Sequence, residues 1–244
     1  MTCFLSLAAV PAAAQTSIIE EMQNARAGVV AVSAVNRNIY KSPGELVRDP
    51  KTGRIFLARK LARAAYQRDG AGVIVDPSGI IVTNAHTIYE AQQVAVTLND
   101  GSRIPARVLR LVKGDDIALL KIPPHPSLFT VPIADSDRVK LGDEVITIGS
   151  SSLLKKTISG GTVIGLGHSR GTGNKVRNNL IQTTINVYKG DSGGPLFDRH
   201  GRLIGLITAS EEARDRSSFA VPSNDITRYL SAYLKQTNQS KGGK

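Results

Sequence analysis

Three residues far apart in the sequence have the side-chain types that acyl transfer to a serine requires. Ser192 lies in Gly190-Asp-Ser-Gly-Gly-Pro195. A serine hydroxyl is a weak nucleophile at neutral pH and needs an adjacent base. It also needs donors aimed at the oxygen that becomes negative on attack. The glycines around Ser192 let the main chain turn tightly, so the amides of Gly190 and Ser192 can point at one spot, and Gly193 and Gly194 leave room for substrate. The expected base is His86, which ends the run Val82-Thr-Asn-Ala-His86. The expected carboxylate is Asp116, placed just before an apolar strand in Gly114-Asp-Asp-Ile-Ala-Leu-Leu-Lys-Ile122, with Asp115 competing by adjacency. The order His, Asp, Ser is one of three known for this chemistry.

Other readings of the same residues fare worse. Gly190–Gly194 also satisfies a G-x-S-x-G elbow, but that needs a helix after the serine and a histidine further downstream. Here Pro195-Leu-Phe197 and Arg202–Ala209 read as strands, and the one downstream histidine, His200, falls in the turn Asp198-Arg-His-Gly201. His125, His168 and His200 sit beside Pro, Gly or Arg and read as surface residues. The single Cys3 excludes an internal disulfide framework and a cysteine zinc site, so no metal or cofactor is expected.

The elements that must position these groups are short β runs punctuated by turns. Gly72–Val75 and Ile80–Thr83 flank Asp76-Pro-Ser-Gly79, a hairpin signal. Val94–Leu98 and Arg103–Leu111 flank Asn99-Asp-Gly101, a second one. Further strands are expected at Ile117–Ile122, Glu144–Gly149, Thr162–Leu166, Leu180–Val187, Leu203–Ala209 and Ser218–Val221. Such spacing argues for antiparallel barrels or a sandwich. Helices are expected as an amphipathic stub at Thr16–Ala25 and at Asp225–Gln236, the latter capped by Asp225 with Ile226, Tyr229, Leu230, Tyr233 and Leu234 on one face. Residues 38–70 read as an irregular basic loop in which Phe56–Gln67 could form a short helix. The prolines of 123–135 cannot supply regular ladder donors and mark a linker. The expected divisions are a leader at 1–14, a terminal segment at 15–26, first and second β units at 27–122 and 136–236, and a disordered tail at 237–244.

The chain resembles trypsin-fold serine proteases of the HtrA/Deg type. The resemblance rests on Gly72–His86, Asp116–Ile122, Gly142–Gly149, Ile181–Thr184, Gly190–Phe197, Gly201–Ile207 and Ser218–Ser223, in family order over roughly residues 27–235. It implies an all-β fold of two six-stranded antiparallel β-barrels with a C-terminal helix, the active site lying between them. It implies that Asp116 orients His86, which takes the proton from Ser192, with Gly190 and Ser192 as the oxyanion hole. It also implies a substrate pocket based on Asn186 and walled by segments that include Thr208, Ala209 and Ser210. Asn186 is uncharged, which points away from Lys or Arg substrates and toward small or medium aliphatic ones. Asp191 departs from the asparagine usual before the serine in this family and needs a partner of its own. No room follows residue 236 for the PDZ domain that many members carry. Residues 15–30 lack the aromatics through which members trimerise, which leaves monomer and trimer both open.

Charge and composition bound the partners. The net charge is +11, yet aromatics make up 5% and Trp is absent, so a base-stacking platform is hard to build and no specific nucleic-acid partner is expected. The run Arg48, Lys51, Arg54, Arg59, Lys60, Arg63 and Arg68 reads as a solvated surface. Phe4–Ala14 is apolar and ends in small residues that suit cleavage before Gln15, although no Lys or Arg precedes it. No run of 18 apolar residues could cross a membrane. The expected function is an exported, periplasmic or secreted, serine endopeptidase acting on proteins or peptides. The competing reading is a latent or inactive protease-fold module that binds peptides without cutting them.

Overall fold

A computed structural model describes residues 23–41, 45–58, 61–149, 158–172, 175–211 and 217–242. The leader expected at 1–14, with Cys3, residues 16–22 of the expected terminal stub and most of the loop 211–216 lie outside these. A helical turn at 23–27 leads into the first sheet. That sheet holds β1 (Val29–Lys41), β4 (Leu61–Asp76), β5 (Ile80–Thr83), β6 (Gln93–Thr97), β7 (Arg103–Pro105), β8 (Arg107–Val112) and β9 (Ile117–Lys121), in the order β7-β6-β1-β4-β5-β9-β8.

Seven strands stand where six were expected because the run Arg103–Leu111 breaks at Ala106. Its first part pairs with β6 and its second with β9. The Ala106 amide leaves the strand direction to bond the Val94 carbonyl at 2.9 Å. The two ends of the sheet are thus halves of one bent strand, and the chain itself links the edges. The second sheet is a closed barrel of β10 (Glu144–Ile148), β11 (Ile158–Thr172), β12 (Lys175–Thr183), β15 (Ser217–Pro222), β14 (Leu203–Glu211) and β13 (Pro195–Asp198).

The described residues of 38–70 are mostly strand rather than an irregular loop. β1 runs to Lys41 and pairs with β4 in an unbroken register from Val29↔Val73 to Lys41↔Leu61. Between them β2 (Glu45–Arg48) and β3 (Ile55–Ala58) form a separate two-stranded ribbon. Of the helix expected over Phe56–Gln67, the described residues are strand instead, Phe56–Ala58 in β3 and Leu61–Gln67 in β4. Its Ala and Arg favour helix locally, but Leu61–Gln67 belong to a run of thirteen consecutive pairings between β4 and β1, which outweighs a propensity of a few tenths of a kcal/mol per residue.

Three apolar clusters tie the halves together. Val30, Val32, Ala34, Ile74, Ile81, Ala118, Leu120 and Ile122 fill the first sheet. Val145, Val163, Ile181, Leu196, Ile204 and Ile207 fill the barrel. A third joins Val29, Val73, Val82, Ile117 and Leu119 of the first half to Ile148, Leu180, Phe197, Leu206 and Phe219 of the second. In β9 alternate residues therefore serve two cores: Ala118, Leu120 and Ile122 face one, Ile117 and Leu119 the other. That is why Ile117–Leu120 reads as continuously apolar, with no polar alternation before Lys121.

The last element, α2 (Ser223–Gly242), starts two residues before the expected cap and runs past the expected end into the supposed tail. Asp225 lies inside its first turn and pairs with Arg228 at 3.0 Å. Its start is tied to the linker: Ser223 Oγ donates to the Ala134 carbonyl (2.6 Å) and Asn224 Nδ2 to Asp135 (2.8 Å). Ile226 is fully buried against the shared cluster, with Tyr229 and Tyr233 packed beside it.

Candidate active site

Thr83 ends β5, and the chain passes through Asn84 into α1 (Ala85–Ile88), a single turn that carries His86. The strand end is rigid because Ile80–Thr83 is buried throughout and lies between β4 and β9. Asp116 sits at the start of β9 with φ +57, a left-handed backbone that is uncommon away from glycine. In this conformation its carboxylate reaches α1 twice. Oδ2 lies 2.8 Å from His86 Nδ1, and Oδ1 accepts from the His86 amide at 2.9 Å. The Asp116 carbonyl accepts from the Ala85 amide and from Asn84 Nδ2, both at 3.1 Å. Asp116 is 1% exposed while the His86 side chain is 42% exposed, so the imidazole bridges a buried anion and solvent.

Asp115, the neighbouring candidate, faces elsewhere. It pairs with Arg228 at 3.0 Å and accepts from the Tyr229 hydroxyl on α2. The third contact to the Asp116 carboxylate crosses from the barrel: Thr208 Oγ1 donates to Oδ2 at 2.5 Å. Thr208 was expected on a pocket wall. It is 5% exposed, and its hydroxyl is turned to the carboxylate. The sequence signal for this is a hydroxyl set in an otherwise apolar buried strand, Leu203-Ile-Gly-Leu-Ile-Thr208.

Ser192 is placed by main chain. The Asp191 amide bonds the Tyr188 carbonyl at 3.0 Å, which closes a four-residue turn. Gly190, third in that turn, has φ +100, as a type II turn requires. Gly193 follows at φ +81, its amide bonded to the Ile207 carbonyl at 2.8 Å. The Ser192 carbonyl accepts from Ala71 of β4 at 2.8 Å, a bond that joins the two sheets. Among the described residues the Gly190 and Ser192 amides have no acceptor.

Gly70 marks where the two arms meet. A Cβ there would stand 2.7 Å from Thr87 Cγ2, next to His86, and 2.8 Å from the Ser192 carbonyl. No hydrogen bond joins the Ser192 hydroxyl to the His86 ring among the described residues, and such contacts often tighten only with substrate in place.

Asp191 is buried. Its Oδ2 accepts from the Tyr188 amide at 2.8 Å, and a Cβ on Gly149 would come within 2.2 Å of its Oδ1. Gly149 therefore has to be glycine for the carboxylate to fit, a role its place at the end of the expected strand did not disclose. Asn186 is exposed beyond the end of β12, its Nδ2 donating to the Tyr188 hydroxyl at 3.3 Å. Ala209 and Ser210 lie on β14 opposite Phe219 and Ser218, and their side chains fall outside the described residues. His125 accepts from the Ser127 amide, His168 stacks edge-on against Phe219, and His200 accepts from Arg199, all apart from Asp116. The described residues hold no cluster of metal-ligating side chains and no helix long and apolar enough to cross a membrane.

Residues 70–206 match the trypsin-like peptidase domain. A probable periplasmic serine protease do/HhoA-like of Haemophilus influenzae is 30% identical over 235 residues, which cover 91% of this chain and 50% of that protein. The periplasmic pH-dependent serine endoprotease DegQ of Escherichia coli is 37% identical over 178 residues, 71% of this chain and 39% of DegQ. The chain thus spans half the length of these relatives or less. The solved structure of the HtrA-type protease AlgW with a decapeptide superposes with a TM-score of 0.71 at 26% identity, covering 90% of this chain and 68% of AlgW.

Proposed function

This chain belongs to the trypsin-like peptidase domain family, and from that premise we propose that it is a serine endopeptidase. The observation that carries the reading is the 2.8 Å contact between His86 Nδ1 and the buried Asp116 carboxylate. It fixes the imidazole with Nδ1–H toward the anion and leaves Nε2 as the basic nitrogen.

In this reading the Ser192 proton passes to His86 Nε2 as Oγ bonds the carbonyl carbon of a peptide. The amides of Gly190 and Ser192 donate to the oxyanion, for which the φ of Gly190 and their lack of an acceptor among the described residues prepare them. Collapse breaks the C–N bond, and the His86 proton goes to the departing amine. Water, deprotonated by the same nitrogen, then cleaves the Ser192 ester and restores the serine. Asp116 stays ionised throughout, held by the His86 amide and Thr208.

The substrates are proteins or peptides with small or medium aliphatic side chains, received near uncharged Asn186. The periplasmic names of the relatives, together with the apolar leader at 4–14, support action outside the cytoplasm. Incubation with unfolded casein tests the reading: fragments should accumulate with the native chain and not with Ser192→Ala. Folded protein that yields no fragments, or equal cleavage by the variant, would overturn it.

A further inference from the structure

Arg68 belongs by sequence to the basic run of residues 48–68, but its guanidinium is turned back onto the protein. It is half-buried on β4 and reaches across to α1. Nη1 donates to the carbonyls of His86 and Tyr89, each at 3.1 Å. Nη2 donates to the Tyr66 hydroxyl at 3.1 Å, and the guanidinium carbon lies 5.2 Å from the Tyr66 ring centre. Fully buried Asn36 completes the group, its Nδ2 donating to the Tyr66 hydroxyl at 3.0 Å and to the Tyr89 carbonyl at 3.2 Å.

The position matters because α1 is so short. A four-residue turn has no cooperative stability of its own, and its last carbonyls have no partners within the helix. Asn84, at its N-cap, makes no side-chain cap. The turn is held from outside, with the Asp116 carboxylate at its amino end and the Arg68 guanidinium at its carboxyl end. That arrangement of charge follows the peptide dipoles.

We propose that Arg68 is a positioning residue for the proposed base: it clamps the carboxyl end of α1 so that the His86 ring keeps one orientation between Asp116 and the Ser192 loop. The inference rests on the protease reading for its kinetic consequence, though not for its structural one. A lysine cannot replace it, since one ammonium cannot span two carbonyls and a hydroxyl in the geometry of a planar fork.

The test compares Arg68→Ala and Arg68→Lys with Arg202→Ala, which removes an exposed guanidinium paired to Asp198 on the far turn. On a short peptide substrate, Arg68→Ala should lose about tenfold in kcat with KM within about twofold of native, as misplacement of a catalytic group predicts. Arg68→Lys should recover little, millimolar methylguanidinium should restore part of the alanine variant's rate, and Arg202→Ala should match the native chain. Independently of activity, the downfield proton resonance of His86 Nδ1–H should be sharp in the native chain and broadened in Arg68→Ala, with the dispersed methyl spectrum unchanged. Tyr66→Phe, which removes one acceptor and leaves the carbonyl contacts, should show a smaller effect in the same direction and serves if the alanine variant does not fold. An Arg68→Ala rate within twofold of native with a sharp resonance would overturn the proposal, as would activity lost only in proportion to unfolded protein. If the native chain cuts nothing, the protease reading fails, and the resonance still decides the role of Arg68.

Discussion

In the first half of the molecule His86 hangs from a short turn fastened by side chains: Asp116 on one end, Arg68 on the other, and Thr208 steadying Asp116 from across the junction. In the second half Ser192 is fastened by main chain, through the turn 188–191, the bonds of Gly193 and Gly194 to Ile207, and the bond from Ala71. The two arms should therefore fail differently. A side-chain clamp can be loosened one hydrogen bond at a time, each worth about 1 kcal/mol net. A main-chain loop threaded through glycines has no such gradation, because an added methyl collides with backbone that cannot retreat.

The largest effect is expected on the Ser192 side. Gly193→Ala would force φ +81 on a residue with a Cβ, placed 2.3 Å from the Ala71 carbonyl and 2.4 Å from Thr83 Oγ1. Overpacking together with the left-handed backbone should cost about 3 kcal/mol or more in urea denaturation, with activity abolished. Gly149→Ala, which would press at 2.2 Å on the Oδ1 of the buried Asp191 side chain and not on backbone, should cost stability and rate but less. If either variant kept native stability and rate, the distinction between the arms would collapse.

On the His86 side the effect should be graded. Thr208→Val removes a hydroxyl donor from a buried carboxylate and should cost about 1–3 kcal/mol in stability. It should also lower kcat while KM holds. Thr208→Ser keeps the hydroxyl and should retain most of the rate. Equal losses in the two variants would mean that the methyl matters as much as the hydroxyl at this junction, and a loss confined to Thr208→Ser would contradict the hydroxyl's role.

The smallest effect lies on a contact that touches neither arm. Asp100, in the turn between β6 and β7, accepts from the Ser127 hydroxyl, from the Ser102 amide and from the Ser102 side chain, and this holds its carboxyl at about 2, below the ordinary 3.8. A carboxyl lowered by folding stabilises the fold above its unfolded value, and that contribution disappears as pH falls through about 2. Ser127→Ala should raise the Asp100 titration toward 3.8 by carboxyl NMR and leave peptide cleavage unchanged. A loss of activity would show that the periphery reaches the site.

Much of this arrangement was legible in the residues. Turn chemistry is local, so Asp76–Gly79 and Asn99–Gly101 mark hairpins whose glycines take φ +94 and +87. His86, Asp116 and Ser192 each sit where an apolar strand meets a turn. The break at Ala106 was hidden because both halves of Arg103–Val112 remain extended, and what changes is the partner strand. Phe56–Gln67 misled because the pairing of Leu61–Gln67 with β1 is non-local. Arg68 and Thr208 were assigned to a solvated run and a pocket wall because their partners lie 18 and 92 residues away, beyond any local pattern. Gly149 was hidden for the same reason: what it makes room for is a carboxylate 42 positions on.

Reaction with a fluorophosphonate, followed by mass mapping of the adduct, tests the central claim most directly. The account predicts one phosphonyl group per folded chain, on Ser192, formed at least about a thousandfold more slowly in His86→Ala. An adduct elsewhere, none on folded native protein, or one on Ser192 at an undiminished rate in His86→Ala would contradict it.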